Sequence, residues 1–120
     1  MFMKRNMLKS KIHKATVTDR RLDYEGSATI DASLMKAVDI LHHENIQVYN
    51  LTNGNRFETY AIAAPEGSGE ICVNGAAAHL VEKGDQVIIA SYAFYDEKEV
   101  KSHDPDIVVL DDRNRVARKV

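Results

Sequence analysis

One serine in this chain stands where it can attack its own backbone. Ser27 follows Gly26 in the segment Asp23-Tyr24-Glu25-Gly26-Ser27-Ala28-Thr29-Ile30-Asp31. A serine hydroxyl can add to the carbonyl of the preceding residue and turn the amide into an ester, an N-to-O acyl shift. Glycine makes the required bend cheap because it has no Cβ. The ester is less stable than the amide, so the fold must supply strain or hold the oxyanion. Gly-Ser pairs are also common turns, and the dipeptide alone decides nothing.

Three other segments carry side chains suited to an acidic substrate. Lys11-Ile12-His13 puts two cationic or titratable groups on one side of a strand, because alternate residues share a face. Asn53-Gly54-Asn55-Arg56-Phe57-Glu58-Thr59-Tyr60 places a guanidinium, a hydroxyl and a phenol on one hairpin arm. Arg56 offers paired N–H donors to a carboxylate, Thr59 a donor to an oxyanion, and Tyr60 a proton. Asn74-Gly75-Ala76-Ala77-Ala78 joins a turn to a helix start, where free N–H groups suit an anion. Taken singly, each is more often structural than functional.

Other chemistries are poorly served. Five histidines and one cysteine invite a metal site, but His13, His79 and His103 have no ligand spacing. His42 and His43 are adjacent, so on a helix their side chains point in different directions. Neither a Gly-rich phosphate loop nor a Gly-x-Ser-x-Gly elbow is present.

The elements that must position these residues are mostly strands. Runs rich in β-branched residues predict strands at Ile12 to Thr18, Ile46 to Leu51, Phe57 to Ala63, Glu70 to Val73 and Gln86 to Phe94. Asn53-Gly54 signals a hairpin, and the apolar run from Val87 to Ala90 suits a strand covered on both faces. Leu34, Ala37, Val38 and Leu41 fall on one helical face, with Asp31 or Ser33 as cap. A second short helix is expected from Ala76, stopped by Gly84. The charge-rich stretch from Asp96 to Val120 reads as only partly ordered. Mostly strand with short helices suggests a small closed barrel.

The bulk numbers set bounds. The 120 residues are 44% hydrophobic and 28% charged with net charge −2, which suits one domain and disfavours general affinity for nucleic acid or anionic membrane. The lone Cys72 forms no intrachain disulfide. The basic start lacks the apolar run of a signal peptide, and no segment reaches the ~20 apolar residues of a membrane span. A cytoplasmic domain is expected.

Taken in order and spacing, four pieces resemble the bacterial aspartate 1-decarboxylase proenzymes. They are Met7-Leu8-Lys9-Ser10-Lys11-Ile12-His13, Tyr24-Glu25-Gly26-Ser27, Thr52 through Ile62, and Val73-Asn74-Gly75-Ala76-Ala77-Ala78. The resemblance implies a six-stranded double-psi β-barrel, assembled as a homotetramer with sites between subunits. It implies self-cleavage into a β chain, 1–26, and an α chain, 27–120, that begins with a pyruvoyl group made from Ser27. L-Aspartate would then condense with that group as a Schiff base and leave as β-alanine and CO2, feeding pantothenate and coenzyme A synthesis. Carried over by position, Thr59 steadies the oxyanion of cleavage, with Asn74 and Tyr24 in support. Arg56 is the main carboxylate clamp, and Lys11 and His13 add positive charge. Tyr60 protonates the carbanion-like intermediate, and the N–H groups of Gly75, Ala76 and Ala77 line the pocket. Some relatives need a maturation factor. The resemblance assigns no metal. Two rivals are a pyruvoyl decarboxylase for another amino acid and a barrel that binds without maturing.

Overall fold

The structure, a computed structural model, describes residues 3–120. Strands dominate it, as the β-branched runs require: β1 (Lys4–Thr16), β2 (Asp19–Arg21), β3 (Ser27–Asp31), β4 (Asn45–Asn50), β5 (Arg56–Ala64), β6 (Ile71–Asn74), β7 (Gln86–Asp96), β8 (Asp106–Leu110) and β9 (Val116–Lys119). Two short α-helices, α1 (Ala32–Val38) and α2 (Glu97–Val100), and a 3-10 helix, Gly75–Leu80, interrupt them. The protein is mainly β with short helices. Its strands number nine among the described residues, in the hydrogen-bonded order β2-β6-β3-β5-β4-β7-β1-β8-β9.

The core lies on one face of this curved sheet. Ile12, Ile30, Ile46, Val48, Ile71, Val73, Val87, Ile89 and Val108 are all buried there. Each fully buried side chain of this size contributes about 1.5–3 kcal/mol. In β7 the expectation of cover on both faces holds only in part, since Ile88 and Tyr92 on the outer face keep some exposure. β1 is longer than its apolar centre suggested. Register shifts between Leu8 and Ser10 and between Ile12 and Ala15 let it bend while pairing antiparallel with β7 and parallel with β8.

Asp31 caps α1 by accepting from the Ser33 N–H at 2.8 Å. The helix is shorter than the periodicity predicted. Asp39 takes a left-handed conformation, φ 60°, and ends it. Leu41 therefore falls outside the helix at 68% exposure, and Ile40 is buried instead. The second helix is 3-10 rather than α and ends at Leu80, with extended Val81 as its cap, before Gly84.

The tail is ordered throughout, contrary to the expectation of partial order. Asp96 and Glu99 form a reciprocal cap on α2. β8 sends Val108 and Leu110 into the core, and β9 pairs antiparallel with β8. The buried Asn114 fastens the end of the chain, donating to the carbonyls of Thr16 and Gly69 and accepting from the Thr16 N–H. Charge in this stretch sits on turns and strand edges, which is why composition alone suggested looser structure.

Candidate active site

Ser27 is the first residue of β3 and is 6% exposed. β3 lies between β5, parallel, and β6, antiparallel, with Ser27 opposite Asn74 and Thr29 opposite Cys72. Alternation therefore puts Ser27, Thr29, Cys72 and Asn74 on the face away from the core, while Ala28, Ile30 and Val73 point into it. The result is a row of small polar side chains joined by hydrogen bonds. Asn74 Nδ2 donates to Ser27 Oγ at 2.9 Å and to Thr29 Oγ1 at 3.0 Å.

Gly26 precedes this row and meets Gly75, the first residue of the 3-10 helix. Gly75 has φ +75°, a conformation that favours glycine. A Cβ on Gly75 would lie 2.7 Å from the Gly26 backbone and 2.9 Å from the Tyr24 carbonyl oxygen. Gly75 thus lets the start of the 3-10 helix lie directly against the Gly26 backbone, whereas a Cβ on Gly26 itself would meet nothing within 4 Å. A cleft of about 470 Å³ opens over them, lined by Asp23, Tyr24, Glu25, Ser27, Thr29, Tyr60, Ile62 and Asn74. Tyr60 reaches it because Ala28 pairs with Ala61, which sets Tyr60 beside Ser27 on the same face. Thr59 falls on the other face of β5 with Phe57 and Ala61 and does not line this cleft.

The cationic residues lie further along the same outer face. Arg56 stacks its guanidinium on the Tyr49 ring, 4.0 Å from the centroid, and lines a separate cavity of about 320 Å³ with Tyr49, Asn50, Gly54, Asn55 and Ile88. The Tyr49 and Tyr92 hydroxyls hydrogen-bond at 2.9 Å, and that bond, with burial, raises the Tyr92 pKa against the pull of Arg56. Lys11 and His13 share a face of β1 as expected. His13 departs from its expected role as a cation. Burial first, then Lys11, Lys14 and Arg118, lower its pKa below the ordinary 6.5, which disfavours the charged ring. Its buried Nδ1 has no hydrogen-bond partner among the described residues.

Sequence reasoning missed several contributors. Thr29 and Cys72 belong to the polar row, and only the register of β3 against β6 reveals them. The Leu80 carbonyl accepts from the side-chain amides of Asn50, Asn53 and Asn55, which ties the loop before Arg56 to the end of the 3-10 helix. The density of asparagine at 50–55 was the available signal. Asn53-Gly54 does mark a hairpin, but β4 and β5 are joined by five residues, with Gly54 at φ +81°. His42 and His43 lie in a turn rather than a helix, and their rings are 3.9 Å apart instead of diverging. No group of three or more potential metal ligands occurs among the described residues.

A small, mainly β chain with a buried serine directly after an exposed glycine, an amide against the serine oxygen and a phenol on the neighbouring strand defines a class of self-processing candidates. Comparison with known proteins specifies which one. The aspartate decarboxylase family model matches residues 3–117, and the chain belongs to that family. It is 61% identical over 113 residues to the aspartate 1-decarboxylase of Syntrophobacter fumaroxidans, covering 94% of this chain and 91% of the relative. The enzymes of the same name from Heliobacterium modesticaldum and Thermoanaerobacter pseudethanolicus are 57% and 53% identical. They cover 95% and 94% of this chain, and 86% and 97% of their own lengths are matched.

Proposed function

We propose that this chain is a precursor that cleaves itself between Gly26 and Ser27 and then decarboxylates L-aspartate to β-alanine and CO2, supplying pantothenate and coenzyme A synthesis. The observation that carries the reading is Ser27 Oγ held by Asn74 in a buried row, next to a Gly26 backbone that Gly75 alone leaves room for.

Maturation uses the chain's own atoms. Ser27 Oγ bonds to the Gly26 carbonyl carbon, the Gly26–Ser27 C–N bond breaks, and the hydroxyl proton passes to the Ser27 nitrogen. Loss of the Ser27 Cα proton then expels Gly26 as a carboxylate by breaking Cβ–Oγ. One water releases ammonia from the remaining enamine, giving the β chain 1–26 and a pyruvoyl-headed α chain 27–120. Asn74 supplies an N–H to Oγ and the 75–77 backbone is assigned to the carbonyl oxygen; Thr59, on the opposite face of β5, is left without the oxyanion role that the resemblance gave it. Tyr24 closes the cleft from the β-chain side.

A pyruvoyl group formed at position 27 would supply a carbonyl for the substrate amine and an electron sink for the departing carboxylate. Residues around it orient aspartate: Arg56 clamps a carboxylate through its fork, Lys11 adds positive charge, and His13 offers a ring nitrogen. Tyr60 holds the proton returned to Cα, and the N–H groups of Gly75, Ala76 and Ala77 line the pocket.

In one chain Arg56 and Tyr60 are four strand residues apart, about 13 Å. The two carboxylates of aspartate are separated by only about 5 Å. A second copy that brings its Arg56, Lys11 and His13 to the Ser27 cleft would close the gap, which supports sites between subunits of the homotetramer that the reading expects. The parallel pairings β1/β8, β2/β6 and β3/β5 amid antiparallel neighbours support a six-stranded double-psi barrel as the centre of the nine-stranded sheet. Among the described residues no helix is long and apolar enough to cross a membrane, and the reading places the enzyme in the cytoplasm. A maturation factor enters only if the purified chain cleaves slowly.

The test is β-alanine release from L-aspartate by the wild type and by Ser27→Ala, with L-glutamate as a second substrate. Activity confined to the wild type and to aspartate is expected, because fixed carboxylate spacing rejects the longer acid. An active Ser27→Ala protein, or equal turnover of glutamate, would overturn the reading.

A further inference from the structure

We propose that Thr29 and Cys72 are positioning residues for self-cleavage, which together hold the Asn74 side chain in the one orientation that donates to Ser27 Oγ. The proposal rests on the self-processing reading and adds to it two residues that touch Asn74 rather than the reacting atoms.

An asparagine amide has two N–H donors on one side and an oxygen on the other. In this chain all are assigned. One N–H goes to Ser27 Oγ at 2.9 Å and the other to Thr29 Oγ1 at 3.0 Å. The oxygen accepts from Cys72 Sγ at 3.3 Å. Asn74 and Cys72 are 3% and 2% exposed, so water does not compete freely for these bonds. Rotating the amide by half a turn would aim its N–H groups at sulfur, a weak acceptor, and its oxygen at the serine.

The orientation matters most after the acyl shift. Ser27 Oγ is then the ester oxygen, and elimination breaks Cβ–Oγ as the Cα proton leaves. Negative charge gathers on that oxygen as Gly26 departs as a carboxylate. An N–H already in place stabilises this charge without reorganisation, whereas an amide oxygen in the same position repels it. Thr29 keeps the second N–H satisfied and Cys72 keeps the oxygen turned away. Burial, with Asp19 and Glu70 and against Arg21, raises the Cys72 thiol pKa and keeps it in the S–H form that donates.

The experiment follows the first-order rate of cleavage by intact mass for the wild type and four variants of the full chain. Thr29→Val and Cys72→Ala remove the bonds, and Thr29→Ser and Cys72→Ser restore a donor or acceptor in a similar volume. The expected result is maturation roughly tenfold slower for Val and Ala, the scale of one lost hydrogen bond at a reacting oxygen. The serine variants should stay within about twofold of the wild type. Serine variants as slow as Val and Ala would show that packing alone acts and would overturn the proposal. So would Val and Ala variants at the wild-type rate, while leaving self-cleavage itself standing. A wild-type chain that never cleaves overturns the self-processing reading and this proposal with it.

Discussion

Tyr60 and Ser27 face one cleft from adjacent strands, yet their tasks separate in time. Ser27 acts on the backbone during maturation, and Tyr60 acts on substrate afterwards. Tyr60→Phe is therefore expected to cleave at an ordinary rate, read by mass, and to release β-alanine roughly 10²-fold more slowly, the scale of a lost general acid. Failure to cleave would move Tyr60 into maturation. Most residues of this site were legible because their types are unusual together: a Gly-Ser peptide, a phenol, a guanidinium and an Asn-Gly turn. Thr29 and Cys72 were not. Their role depends on strands 45 residues apart lying in register, and no local pattern reports that register. The lowered pKa of His13 was hidden for a related reason, since its burial comes from the fold and Lys14 and Arg118 reach it from a bulge and from the far end of the chain.

At the scale of elements, β3 is fixed at both ends. Ser27 opens it against β6, and Asp31 closes it by accepting from the Ser33 N–H and hydroxyl and from the backbone of Gly67 and Gly69. Burial alone would raise the Asp31 pKa, but those bonds outweigh it and hold the carboxyl below its ordinary value of 3.8. A depressed carboxyl pKa gives stability that is complete above the unfolded value and lost as pH falls through the folded one. Asp31→Asn turns an N–H toward these donors, so we expect a loss of about 1–3 kcal/mol near neutrality and a flatter acid limb. Urea unfolding at neutral and acid pH, on the uncleavable Ser27→Ala background, measures both. Equal acid sensitivity in the variant would contradict the assignment. The strand runs and the Asp31 cap could be read from sequence. The early end of α1 could not, because the turn at Asp39 is set by Ile40 packing into the core rather than by a glycine or proline signal.

The whole molecule leaves its cationic face and its Ser27 cleft apart. If a site draws on two chains, co-expressing Ser27→Ala with Arg56→Ala should restore part of the activity that each variant lacks alone. Each mixed pair can form a site with an intact Ser27 from one chain and an intact Arg56 from the other. Recovery measured as β-alanine release supports shared sites; none at all, in mixed oligomers verified by mass, would place both residues in one chain's site. The tail shows why architecture was less legible than chemistry. β8 lies parallel to β1, pairing Ser10 with Asp106 and His13 with Val109. A parallel neighbour from the opposite end of the chain leaves no short-range signal.

The central claim is that Ser27 cuts the chain before it, and intact mass of the purified protein after warm incubation tests it most directly. Two fragments divided after Gly26, with the larger carrying a pyruvoyl terminus and so lighter by one ammonia than a serine-headed chain, are predicted. A single intact mass that persists on incubation would contradict it.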